Sequence, residues 1–197
     1  TSCSPCHSGA TIKAVALGEP LTASVTDNYT NLNCRGCHNI HMNYDTTDWA
    51  LSTTAGVKFR VDSSVTSDFG KGNLCVHCHQ VRQNPMVGVT ADSVSTNQRF
   101  GPHYGTEANM LAGISGWEVS GSIPKASSMH KTLVTDGCVQ CHMAKGSHTF
   151  KAQVAGCNAK GCHEGLTNFD YNGVQTAIKA LKAEIKDTLF SRGIMYT

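Results

Sequence analysis

The chain has 197 residues, with sixteen lysines and arginines against fourteen aspartates and glutamates, a formal net charge of +2. So mild a charge argues against nucleic acid or a strongly acidic partner as the main ligand, and no apolar run of about eighteen residues is present to span a membrane. Nineteen glycines and many Ser, Thr and Asn thin out the aliphatic content, so a conventional core would struggle against the entropy of ordering this chain.

One pattern recurs from end to end. Cys3-Ser4-Pro5-Cys6-His7, Cys34-Arg35-Gly36-Cys37-His38, Cys75-Val76-His77-Cys78-His79 and Cys138-Val139-Gln140-Cys141-His142 share the form C-x-x-C-H, and Cys157 to Cys162-His163 is a looser relative with four residues between the cysteines. All ten cysteines lie in these five motifs. C-x-x-C-H is the attachment motif of c-type haem. Two thiols reach the two vinyl groups on one porphyrin edge, and the following histidine ligates the iron. A structural zinc site would use paired cysteines and a disulfide framework would use all of them, but neither explains a histidine after each pair. With ten histidines in 197 residues, chance places one after a given pair only about one time in twenty.

Haem then substitutes for the missing core. The expected fold is mostly irregular coil wrapped around haems, with few short strands, short helices and one C-terminal amphipathic helix. A single multihaem domain over 1–197 is expected, its haem-wrapping region being 1–165. Residues 12–17, with alternating character, read as a strand or edge ribbon, and 57–61 as a short strand. The C-terminal helix covers about 172–192. Val174, Ile178, Leu181, Ile185 and Leu189 recur at spacings of three and four, so the helix is expected to pack on its own domain, with recognition of a partner as the alternative. Asn172 is the candidate cap at its start and Gly193 at its end.

The first-axial ligands are His7, His38, His79 and His142, with covalent attachment at Cys3, Cys6, Cys34, Cys37, Cys75, Cys78, Cys138 and Cys141. A strong ligand in the second axial position makes an electron-transfer centre; an open position permits substrate chemistry. His41, His103, His130 and His148 are the distal candidates. His41 follows His38 too closely to fold back over its own haem, so it serves a neighbouring one, in this subunit or another. The methionines read as packing filler. Four distal candidates match four haems. Cys157 and Cys162 then either close a disulfide loop with His163 left over, or hold a fifth haem that needs His77, a methionine or an open site. Four haems are expected and five remain open.

Residues 101–111 (GPHYGTEANML), 141–150 (CHMAKGSHTF) and 168–176 (NFDYNGVQT) resemble signatures of exported multihaem cytochromes from metal-reducing bacteria. Size, haem number and lack of an anchor are similar to the filament-forming extracellular cytochromes of the OmcE and OmcS type. That resemblance implies a homopolymer built by head-to-tail contacts, in which bis-histidine haems form an unbroken chain and electrons pass to partner cytochromes or to extracellular acceptors such as metal oxides. It also implies that a histidine shortly after a motif ligates a haem of the next subunit; His41 is the matching position. Because covalent haem attachment takes place outside the cytoplasm, export through a removed leader is expected, to the extracellular surface or, alternatively, the periplasm. Electron transfer without catalysis is the leading expectation. A monomeric periplasmic shuttle is the first alternative and a multihaem reductase the second.

Overall fold

The structure is a computed structural model, and it describes residues 4–21, 30–82, 105–115, 128–159 and 161–195. It is mostly coil with short helices. The helices are α1 (Ser4–His7), α2 (Ile12–Leu17), α3 (Asn73–Val76), α4 (Glu107–Ala112), α5 (Met129–Leu133), α6 (Cys138–His142), α7 (Val154–Cys157) and the long α8 (Val174–Ser191). Extended pairing among the described residues is limited to two isolated antiparallel bridges, His38 with Leu51 and Lys58 with Thr66. Contacts divide the chain into two compact units, 1–140 and 141–197, a division that falls inside the fourth motif. No helix among the described residues is long and apolar enough to cross a membrane.

Residues 12–17 form helix α2 rather than a strand. Their short alternation is overridden by the chain's exit. Gly18 takes the left-handed conformation (φ 69°), and its region returns N–H groups to the carbonyls of Ala14 and Val15, a closure that only a helix end can use. The strand expected at 57–61 contracts to a ladder of two bonds, Phe59 N–H to the Val65 carbonyl at 3.0 Å and Ser67 N–H to the Val57 carbonyl at 2.9 Å.

In the first unit, Phe59, Phe69, Val76, Ala108 and Ala112 form the hydrophobic cluster. Val76 belongs to the third motif, so that motif is built into the core itself. Three buried amides fasten it. Asn73 Oδ1 accepts from Ser67 Oγ and Phe69 N–H, while its Nδ2 donates to the Thr54 carbonyl. Gln80 donates to the Val76 carbonyl and accepts from Arg60 N–H. Asn109 Oδ1 accepts from Val81 N–H at 2.8 Å. These bonds pin strandless backbone that has no ladder of its own, although Asn109 Nδ2 is itself buried without a partner.

The fourth motif is drawn in by close backbone approach. A Cβ on Gly72 would meet Cys138 N at 2.8 Å and Asp136 O at 2.9 Å, and one on Gly137 would meet Phe69 Cβ at 2.6 Å. Gly137 also has φ 49°, so glycine is required there on two counts.

The second unit is different. Ala144 is the buried apolar side chain among its described residues, and α8 buries none. Ile178, Leu181 and Ile185 are 52%, 58% and 60% exposed, so the expected packing of the helix on its own domain is not made. The helix start is capped by Asp170 instead of Asn172, which is itself left-handed at φ 52°. The Asp170 carboxylate accepts from the N–H groups of Gln175 and Thr176 and from the Thr176 hydroxyl. Gly193, left-handed at φ 66°, closes the other end, with Ile194 N–H on the Leu189 carbonyl at 2.9 Å.

Candidate haem-attachment centre

Each short motif, as far as it is described, is one helical turn. Cys6 and His7 lie in α1, Cys138 to His142 form α6, Cys75 lies in α3, and Cys34 opens a 3-10 turn that Cys37 closes. Residues three apart share a face of such a turn, so both thiols point the same way and the histidine follows at the turn's end. The backbone bond that shapes this runs from the histidine N–H to the first cysteine's carbonyl, 2.8 Å from His38 to Cys34 and 2.9 Å from His79 to Cys75.

The imidazoles of the second and fourth motifs are held through Nδ1. His38 Nδ1 lies 2.6 Å from the Trp49 carbonyl oxygen and His142 Nδ1 2.9 Å from that of Phe150. A carbonyl can only accept, so Nδ1 carries the hydrogen and the lone pair resides on Nε2. This is the tautomer that an iron-ligating imidazole needs, set by the outer partner. His79 Nδ1 is 3.5 Å from the Glu107 carboxylate. Phe150 occupies φ 57°, a costly conformation for a bulky residue, and its carbonyl is the one that receives His142.

Motifs distant in sequence meet through their thiols. Cys6 hydrogen-bonds with Cys78, and Cys75 with Cys138. The Cys6–Cys78 bond, with Arg82, Arg60 and His7 nearby, draws the Cys6 thiol down to about 6 despite its partial burial. Cys78 is pushed up, by the same bond and by burial. Cys75 is pushed up by its bond to Cys138 and by burial, and burial raises Cys37, with the neighbouring Cys34 adding to it.

Of the distal candidates, His41 is exposed at the tip of loop 39–50. The loop's base is closed by the His38–Leu51 bridge and by Asn39 N–H on the Ala50 carbonyl at 3.0 Å. Inside it, the Asp48 carboxylate accepts four successive backbone N–H groups, from His41, Met42, Asn43 and Tyr44, at 2.8, 3.1, 2.8 and 3.2 Å. Those bonds hold the Asp48 pKa below its ordinary value and hold His41 and Tyr44 in left-handed conformations at φ 62° and 61°. The two rings meet edge to face with centroids 5.5 Å apart. His130 lies on α5 and His148 follows a 3-10 turn; both are exposed, and His148 Nδ1 is 3.0 Å from the Gly146 carbonyl. Cys3 and His103 lie outside the described residues. Met42, Met110 and Met129 are all more than 60% exposed.

Whether these residues suit a haem rests on donor chemistry. The thiols share a face, the His38 and His142 tautomers leave Nε2 as the ligating nitrogen, and of three buried polar atoms without a hydrogen-bond partner among the described residues, Ser52 Oγ, Asn109 Nδ2 and His77 Nε2, one is an imidazole nitrogen. His77 Nε2 is buried without a hydrogen-bond partner, and burial, with Arg60 nearby, lowers the His77 pKa. A neutral imidazole nitrogen hidden from water suits an axial ligand to iron, so the residues fit. No three Cys, His, Asp or Glu side chains among the described residues converge as the ligand set of a bare metal ion.

Sequence reasoning missed Asp48, Trp49 and Phe150. Trp49 and Phe150 act through backbone carbonyls, which carry no side-chain signal, and the four bonds to Asp48 depend on a loop closure that no motif encodes. Compared with known families, with curated proteins and with solved structures, the chain matches none.

Proposed function

We propose that this chain is an exported multihaem c-type cytochrome that conducts electrons without catalysis of its own, and that its copies join head to tail into a filament. The observation that carries the reading is the meeting of the motifs: Cys6 touches Cys78 and Cys75 touches Cys138. Groups attached at those cysteines would be neighbours, as electron hopping requires. Cys3, Cys6 and His7, Cys34, Cys37 and His38, Cys75, Cys78 and His79, and Cys138, Cys141 and His142 would hold the haems. Bound haem supplies a one-electron ferric–ferrous couple. The protein's part is to hold the ligands still, so that little reorganisation accompanies each transfer. The Trp49 and Phe150 carbonyls keep the His38 and His142 imidazoles in one tautomer and orientation, and the amides around the third motif keep that turn rigid.

His41 is the residue that would bridge subunits. It is exposed, locked by the Asp48 clip, and flanked by Met42, Tyr44 and Trp49, which are 64%, 80% and 68% exposed. Large apolar side chains gathered at a loop tip mark a surface that a partner covers, and the resemblance to filament-forming extracellular cytochromes makes a second copy that partner. Redox cytochromes and extracellular acceptors such as metal oxides would stand at the filament's ends.

His41→Ala tests this. All haems should stay covalently attached, one iron per subunit should become high-spin in the EPR spectrum of the oxidised protein, and filaments seen by electron microscopy should shorten or vanish. Filaments of normal length with every iron low-spin would remove His41 from the bridge. A wild-type monomer with the same haems would instead indicate a shuttle.

A further inference from the structure

We propose that Cys157, Cys162 and His163 hold a fifth haem, so that the chain carries five. This rests on the reading of the short motifs as haem sites. The long motif differs from them by two residues, yet its backbone closes in the same way. His163 N–H bonds to the Cys157 carbonyl at 3.1 Å, matching His38 with Cys34 at 2.8 Å and His79 with Cys75 at 2.9 Å. The second cysteine likewise ends a turn. Cys162 N–H bonds to the carbonyl of Ala159, three residues back, at 2.9 Å, as Cys37 does to Cys34 at 3.2 Å and Cys78 to Cys75 at 3.1 Å. Between the two cysteines Gly161, at φ 82°, turns the chain.

A pair of bonds ties the motif to the residues that follow it. Asn158 Nδ2 donates to the Leu166 carbonyl at 2.7 Å, and its Oδ1 accepts from Leu166 N–H at 2.8 Å. The imidazole also meets an aromatic residue shortly downstream, though by a different contact from that in the short motifs. His38 is held by Trp49 and His142 by Phe150, through their carbonyls, and His163 by the Tyr171 ring, with centroids 4.1 Å apart. Cys157 and Cys162 are not joined to each other.

Ligand supply agrees with the count. Five haems with two imidazoles each require all ten histidines of the chain, and the tenth would be His77, whose buried Nε2 has no other partner. Attachment balances without a further reagent. Each thiol adds across one vinyl group, forming a carbon–sulfur bond in place of the π bond, and its hydrogen passes to the terminal carbon. A disulfide between the same cysteines would release two hydrogens to an oxidant.

Intact-mass measurement and peptide mapping of the purified holoprotein decide the matter. The expected result is five haem additions, one on the peptide spanning residues 157–163, and a Cys157→Ala/Cys162→Ala double variant lighter by one haem with the other four retained. Four additions with that peptide two hydrogens lighter would overturn the fifth site and leave the short motifs standing. No covalent haem at all would overturn the reading beneath it as well.

Discussion

Loops 39–50 and 158–171 do the same work with opposite chemistry. The first follows its cysteine–histidine motif and the second begins inside its own, containing Cys162 and His163; each ends near the aromatic residue that meets the motif's imidazole, and each is fastened by one side chain. In the first, the anionic Asp48 gathers four N–H groups and accepts only. In the second, the neutral Asn158 gives one bond and takes one, both with Leu166. The carboxylate can hold a more strained loop because charged acceptors bond more strongly, and the first loop is indeed the one with two left-handed non-glycine residues, His41 and Tyr44. The carboxamide trades that strength for indifference to pH.

The largest effect should come from removing the charged clip. Asp48→Ala leaves the N–H groups of His41, Asn43 and Tyr44 without their acceptor, while Met42 N–H keeps the Asn39 carbonyl at 3.1 Å, so hydrogen exchange at residues 41, 43 and 44 should lose its protection while the loop after Cys157 keeps its own. Acid should do the same more gently. The Asp48 pKa is held below its ordinary 3.8 by those four bonds. Its stabilisation is therefore fully present above 3.8 and disappears as pH falls through the lower, folded value. Asp170 is also depressed, first by its bond to the Thr176 hydroxyl, so the start of α8 should loosen in the same acid range. An acid titration followed by NMR that moved the residues around Leu166 as early as those around Tyr44 would erase the distinction between the two clips.

A smaller change is expected at the neutral clip. Asn158→Ala removes two hydrogen bonds at a half-buried site, roughly 1–3 kcal/mol of local stability, with no dependence on pH. Asn158→Asp sharpens the contrast. It sets an anionic oxygen against the Leu166 carbonyl, so that loop should be weak at neutral pH and recover on acidification, when the carboxyl can donate again. That sign is opposite to the one at Asp48, and hydrogen exchange at Leu166 across pH would read it.

The smallest effect separates backbone from ring. Trp49 holds His38 with its carbonyl, so Trp49→Ala should leave the His38 Nδ1–H resonance nearly where it was. Tyr171 acts through its ring, a contact worth about 0.5–1.5 kcal/mol, so Tyr171→Ala should shift the His163 resonances. Equal shifts at both histidines would mean that Trp49, too, works through its side chain.

The amino-acid sequence by itself determined what is local. Four C-x-x-C-H motifs dictate one-turn helices with both thiols on a face, scarce aliphatic residues dictate a chain of coil and short helices, and the spacing of apolar residues after Gly173 dictates α8. Each of these follows from contacts a few residues apart. Tertiary structure alone decided which motifs touch, because the pairing of Cys6 with Cys78 depends on the folding of everything between them, and that of Cys75 with Cys138 on glycines that admit close backbone approach. It also decided that α2 is a helix, where six residues of ambiguous period yielded to a left-handed Gly18, and that Asp170 rather than Asn172 caps α8. The Asp48 clip belongs to the same class. A carboxylate reveals nothing in sequence about the four N–H groups it will gather until the loop around it has closed.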